Sequence, residues 1–174
     1  MDDDRFSDFY SAQFADLWRF ARRRTETSDD ADDVTAETFA VAWRRRADIP
    51  TDGERLWLFG AARHVLANHQ RATRRRGRLH LRLVTEDAPS AAYEDVEDTG
   101  GRLWRALAAL PPDDRELLLL RAWDRLGASE IATLLGISAA TVSSRLHKAR
   151  RRLDRELERQ PDQETTRPRE DEHA

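Results

Sequence analysis

The chain has 174 residues, 39% hydrophobic and 36% charged, with a formal net charge of -3, which suits one or two small domains with modest cores and rules out a simple polycation. Without a single cysteine it can form no disulfide, thiolate zinc site or cysteine nucleophile. No apolar run approaches the ~20 residues that cross a bilayer, and the acidic start MDDDRF is unlike a secretory leader, so a cytoplasmic protein without membrane insertion is expected.

Phe6, Phe9, Tyr10, Phe14, Leu17 and Trp18 recur at spacings of three and four and predict an amphipathic first helix of about five turns. A second helix is predicted to start near Asp29, Asp30, Asp32 and Asp33, whose charges suit a helix N-terminus, and to run through Val34, Phe39 and Trp43 to Arg44, Arg45 and Arg46 at its negative end. Ile49 to Gly53, with Pro50, is a loop. Leu56, Trp57, Phe59, Ala62, Val65 and Leu66 open a third long helix that ends in RRRGR. Trp57 and Phe59 could stack on bases, although aromatics at helical spacing are more often core, and the sequence does not separate the two. The arginines Arg63, Arg71, Arg74, Arg75 and Arg76 could lie along a phosphate backbone, or could simply be a solvated helix tail. The expected first domain is residues 1–82.

Charge then changes sign. Arg55 to Arg82 carries arginines and no acid, whereas TEDAPSAAYEDVEDTGG, from Thr85 to Gly101, carries acids and no Lys or Arg. With Pro89, a Gly pair and no helical periodicity, residues 83–101 are expected to form a flexible acidic linker. The roughly 18 residues from Val84 to Gly101 would reach roughly 60 Å at ~3.3 Å per residue, nearly two turns of DNA at about 34 Å each.

ASEIATLLGISAATVSSRLHKARRRL, from Ala128 to Leu153, has the spacing of a helix-turn-helix. Ile131, Ala132 and Leu135 give a short helix one apolar edge, and Gly136 ends it because a residue without Cβ accepts positive φ cheaply. Ser138 is a good N-cap for the next helix, with Ile137 and Val142 placed as a hydrophobic staple. Val142, Leu146, Ala149 and Leu153 form its buried stripe, with Ala140, Ser144, His147, Lys148 and Arg151 on the opposite arc. Small and polar residues followed by cations match a recognition helix, which reads bases early and holds phosphates later. An ordinary helical hairpin with a basic face is the plainer alternative. Residues 102–159 are the expected second domain, and 160–174, polar with two prolines, a disordered tail. The fold class expected is all-α, two small helical domains on a flexible linker, the second a helix-turn-helix.

Taken in this order, the two halves resemble the extracytoplasmic-function (ECF) group of bacterial RNA polymerase sigma factors within the sigma-70 family, over about residues 6 to 157. DDADDVTAETFAVAWRR, residues 29–45, is similar to the segment that docks on the clamp of the largest polymerase subunit. WLFGAARHVLANHQRATRRR, residues 57–76, is similar to the helix that meets the melted -10 element. LPPDDRELLLLRAWDRLGASEIATLLGISAATVSSRLHKARRRL is similar to the -35 element reader, a region that in the family also meets the flap of the second-largest subunit. The resemblance implies that Asp32, Asp33, Glu37, Phe39 and Trp43 bind polymerase, though core is an equal reading of Trp43. It implies that Arg63, His64, Asn68, Arg71, Arg74 and Arg75 meet the -10 element, and that the loop Arg46 to Glu54 captures a flipped base. Ser138, Ala140, Thr141, Ser143, Ser144, His147, Lys148 and Arg151 would meet the -35 element. Ala36, Ala140 and Ser143 depart from the common Gln, Gly and basic residue, which affects specificity more than fold. The linker acids would mimic phosphates in polymerase channels, or act as a spacer.

The function implied is a sigma factor that binds core RNA polymerase and directs it to promoters, with promoter DNA and an anti-sigma factor as further partners. A stand-alone helix-turn-helix repressor or activator is the alternative. No catalytic cluster or cofactor motif is found, and His64, His69, His80, His147 and His173 lack metal-ligand spacing. The Asp29 to Asp33 cluster lacks the glycine and terminal Glu of a calcium loop and is read as helix capping.

Overall fold

The computed structural model describes residues 1–80 and 99–159, with side chains for 1–73 and 101–159. Its elements are α1 (Asp3–Arg22), α2 (Ser28–Arg44), α3 (Glu54–His80), α4 (Thr99–Ala109), α5 (Pro112–Ala122), α6 (Ala128–Leu135) and α7 (Ala139–Arg159), with no strand among the described residues.

The first two helices start where local chemistry supplies caps. The Asp2 carboxylate accepts the Arg5 N–H at 2.9 Å, and Thr27 Oγ1 accepts the Asp30 N–H at 3.1 Å while its hydroxyl donates to Asp30 Oδ2 at 2.8 Å. Asp29 and Asp30 occupy the first turn of α2, where the helix dipole favours negative charge. Capping is therefore what the acid cluster does at its leading edge. Leu17 and Phe20 from α1, Val34 and Ala42 from α2, and Leu58 and Phe59 from α3 make a dry core, with Phe20 stacked on Phe59 at 4.4 Å between ring centroids. Each large side chain so buried contributes roughly 1.5–3 kcal/mol. Gly53, at φ 97°, lets the chain turn into α3.

The second unit is α4 to α7. Helix α4 begins at Thr99, so residues 99–101, assigned to the linker from composition, belong to its first turn. A Gly pair weakens a helix interior by about 1 kcal/mol per residue, but here it sits at an end that tertiary contacts hold: Arg102 Nη2 donates to Leu157 O at 2.7 Å, and Leu103, Trp104 and Leu107 pack into the core. The linker's remaining residues to 98, and the tail 160–174, lie outside the described residues. Pro112 occupies the start of α5, where its missing N–H costs nothing. Arg115 donates to Leu107 O, Ala108 O and Leu110 O at 2.9, 2.6 and 3.3 Å, satisfying carbonyls that the end of α4 leaves open. Four consecutive leucines, Leu117 to Leu120, are all buried, which requires α5 to be covered on more than one face.

Candidate nucleic-acid interface

Helix α6 stops at Gly136, whose φ of 66° is left-handed. The Gly136 and Ile137 N–H groups turn back to Thr133 O at 3.4 Å and Ala132 O at 3.1 Å, closing the helix end. Ser138 Oγ then accepts the Thr141 N–H at 3.1 Å and lies 2.8 Å from the Thr141 hydroxyl, so the predicted N-cap forms. Val142, Leu146 and Ala149 are buried, with Leu153 packed against them. On the opposite arc Ala140, Ser143, Ser144, His147, Lys148 and Arg151 are all exposed. Ser143 Oγ donates to Ala139 O at 3.1 Å, which holds this short side chain down on the helix. Among the described residues neither Lys148 nor Arg151 enters an ion pair, and their charge faces solvent. Ser138 and Thr141, predicted to touch DNA, spend hydroxyl contacts on each other.

The other nucleic-acid residues lie on α3. His64 and Asn68 are exposed, and Asn68 Oδ1 accepts from Arg71 Nη2 at 2.5 Å while Arg71 Nε donates to Ala67 O at 3.2 Å, so three predicted residues share one face. Arg74 and Arg75 continue the helix, their side chains outside those described. Arg63 is held elsewhere: Nη1 donates to Leu134 O at 2.7 Å and Nε lies 3.8 Å from Glu116 Oε1, both in the second unit. The loop before α3 borders a groove of about 410 Å³ lined by Arg45, Asp52, Trp57, His64 and Leu134. His69 Nε2 reaches Asp30 Oδ1 at 3.0 Å and ties α3 to α2. Burial pushes the Asp30 carboxyl up, but hydrogen bonds from Thr27 and the charge of His69 outweigh it and hold Asp30 below the ordinary carboxylate range.

On α2, Asp32, Asp33, Glu37 and Trp43 share the exposed side, with Asp32 Oδ1 accepting from Trp18 Nε1 at 2.7 Å. Trp43 is 38% exposed, edge-on to Phe6 with ring centroids 4.9 Å apart, and Arg46 lies 4.4 Å from its centroid. Phe39, grouped with these from sequence, is 5% exposed beneath Tyr10, Phe9 and Phe14. It supports the face rather than forming it, because α1 supplies an aromatic cover at that register. Tyr10 and Phe14, 42% and 38% exposed, extend the apolar surface instead. Sequence reading placed both in the amphipathic stripe, and only the packing of α1 on α2 shows that they remain outside.

A family model described as "Sigma-70 region 2" matches residues 9–76, and one described as "Sigma-70, region 4" matches residues 100–153. The chain is 32% identical over 148 residues to the ECF RNA polymerase sigma factor SigL of Mycobacterium tuberculosis, covering 83% of this chain and 84% of that protein. The chain belongs to the ECF sigma factors of the sigma-70 family. It is also 32% identical over 151 residues to the ECF RNA polymerase sigma factor SigC of M. tuberculosis, covering 82% of this chain and 77% of that protein. In three dimensions the sigma factor is similar to CnrH solved with the cytosolic domain of CnrY, at 25% identity and a TM-score of 0.68 over 92% of each chain. The sigma factor RpoE of Bartonella quintana, solved with the anti-sigma factor NepR, has the same fold at 23% identity and a TM-score of 0.70, with 88% of this chain and 96% of that one covered.

The region 2 match of this sigma factor falls on α1 to α3 and the region 4 match on α4 to α7. Ala36, Ala140 and Ser143, the departures noted in sequence, all lie at exposed positions, where they alter contacts without touching the core. No group of three His, Cys, Asp or Glu that could hold a metal exists among the described residues. No helix there is long and apolar enough to cross a membrane.

Proposed function

We propose that this sigma factor binds core RNA polymerase and directs promoter-specific initiation by dividing the work between its two units, the chemistry of RNA synthesis being polymerase's own. The α2 face of Asp32, Asp33, Glu37 and Trp43 docks on the clamp of the largest subunit, where acids and an exposed aromatic suit a basic helical partner. The second unit meets the flap of the second-largest subunit. His64, Asn68 and Arg71 on α3, with Arg74 and Arg75 beyond them, meet the melted -10 element, and the groove beside the loop before α3 offers room for an unstacked base. In the second unit Ala140, Ser143 and Ser144 approach bases of the -35 element, while His147, Lys148 and Arg151 hold phosphates. The protein works in the cytoplasm, and an anti-sigma factor that covers one of these faces is its expected regulator.

The observation that carries this reading is the tight Gly136–Ser138 corner presenting one uninterrupted exposed arc of α7, small at its start and cationic later, on a chain whose other unit matches sigma-70 region 2. In vitro transcription with core polymerase and a library of promoter fragments tests it. Transcripts with defined start sites should appear only when the protein is added. If the protein neither binds core enzyme nor changes start sites, while still shifting duplex DNA alone, a stand-alone repressor or activator replaces this reading.

A further inference from the structure

From its start at Ala139 to Ser144, α7 carries no charged side chain, and the first cation is Arg145. Thr141, Ser143 and Ser144 supply the hydroxyls of that stretch. The Thr141 hydroxyl is engaged with Ser138 Oγ at the corner, 2.8 Å away. Ser143 and Ser144 are both exposed, yet their hydroxyls differ in what they can do. Ser143 Oγ donates its one hydrogen to Ala139 O at 3.1 Å, the back-bond that a serine makes to the preceding turn of its helix. Only lone pairs are left to face outward. The Ser144 hydroxyl makes no hydrogen bond among the described residues, so it turns freely to donate or accept.

Base edges in the major groove differ in the same sense. Adenine N6 and cytosine N4 donate, whereas guanine O6 and N7 and thymine O4 accept. An oxygen that can only accept suits an amino group. Against guanine or thymine it sets lone pair on lone pair, or else the hydroxyl gives up its bond to Ala139 O in order to donate, and either way a hydrogen bond is lost. A two-pronged grip on guanine needs a long cation, and none precedes Arg145 on this helix. The bond to Ala139 O also fixes the Ser143 side chain in place, so it addresses a single base position. Ser144, free to do either, accepts every base edge.

We propose that Ser143 is a specificity-determining residue, an acceptor-only contact that selects a base with an exocyclic amino group, adenine or cytosine, at one position of the -35 element, a step that rests on the proposed role of α7 as that element's reader. The direction of the contact is set inside the helix, by the carbonyl that takes the Ser143 hydrogen. Ser144 adds contact beside it without choosing a base.

The test uses the full chain with core polymerase and a promoter library randomised over the upstream element, the transcripts being counted by sequencing. In the parent, one position should favour adenine and cytosine over guanine and thymine by about tenfold, within the usual cost of a mismatched base pair. Ser143→Ala keeps the fold, because the position is exposed and alanine is the better helix former. It should bring that one position close to even and leave the others as they were. Ser143→Arg should turn the same position toward guanine, through the paired contact of arginine to O6 and N7. Ser144→Ala should lower output from all members of the library alike and change no base preference. Replacing the selected base by its analogue without the amino group should cost the parent about tenfold more than it costs Ser143→Ala. A parent that favours guanine or thymine at the position relaxed by Ser143→Ala would overturn the proposal. So would a Ser143→Ala profile that matches the parent's or is weakened evenly at every position, or loss of the preference in Ser144→Ala instead. If the parent gives no promoter-specific transcript, the sigma assignment fails by itself. Selection of the same library in a gel shift with the chain alone then decides Ser143 by the same base preferences, and a chain that selects no duplex there refutes it.

Discussion

Replacing Lys148 and Arg151 with alanine removes two cations from the exposed arc of α7 and little else. Neither is in an ion pair among the described residues, both are exposed, and alanine is a better helix former than either, so the fold loses nothing. If each side chain neutralises one phosphate, each accounts for about 0.9 in the slope of log K against log salt, and the double variant flattens that slope by about 1.8. Raising salt from 50 to 200 mM changes log salt by about 0.6, so the parent should lose roughly tenfold more affinity over that interval than the double variant does. Fluorescence anisotropy of an upstream promoter fragment, titrated at four salt concentrations, measures both slopes, and a core polymerase pull-down checks that docking is unchanged. An unchanged slope with weakened binding would mean that these cations do not meet phosphates. Loss of core binding would refute the division of labour between the units.

Gly136→Ala should destabilise the second unit by about 1 kcal/mol, because a Cβ there meets nothing within 4 Å and only the left-handed φ of 66° is penalised, at ~1–2 kcal/mol less the stiffening of the unfolded chain; urea unfolding measures it, and a loss above about 3 kcal/mol would mean that the corner has packing not accounted for. Trp43→Ala should weaken core polymerase binding at least about tenfold, as for an aromatic anchor, with DNA binding by the second unit unchanged; equal loss of both would point to a core role. Asp16 and Asp30 both sit below their ordinary pKa. At Asp16 burial acts upward, but hydrogen bonds from Arg19 and Arg55 and their charges prevail, as those of Thr27 and His69 do at Asp30. The unfolded chain therefore takes up these protons first, so their stabilisation is fully present above about pH 4 and is lost as pH falls through the folded values. Urea midpoints between pH 6 and 3 should fall less steeply for Asp16→Asn with Asp30→Asn than for the parent, and equal slopes would show that these pairs do not carry the acid limb.

What could be read in the sequence was what neighbouring residues decide among themselves. The Gly136 corner, the Ser138 cap and the Val142, Leu146, Ala149 stripe are set within a few residues of one another, and each formed as expected. The same local logic went wrong at Gly100 and Gly101, where composition favours a linker but Arg102 and Trp104, anchored on the rest of the second unit, draw the chain into α4. On α2, Phe39 and Trp43 are four apart and indistinguishable by periodicity. One is covered by Tyr10 and Phe14 and the other only edged by Phe6, a difference that depends on how α1 crosses α2. Arg63 shows the limit most clearly: its place among the basic residues of α3 suggests a phosphate, yet its partner is a carbonyl 71 residues away. Asp124 carried no signal at all, since a lone acid in a turn is ordinarily solvated. It is buried, with its oxygens held by Arg23 and Arg24, about a hundred residues earlier in the chain. Contacts of that span cannot be read from neighbouring residues, because the two partners meet only once the helices of both units have packed together.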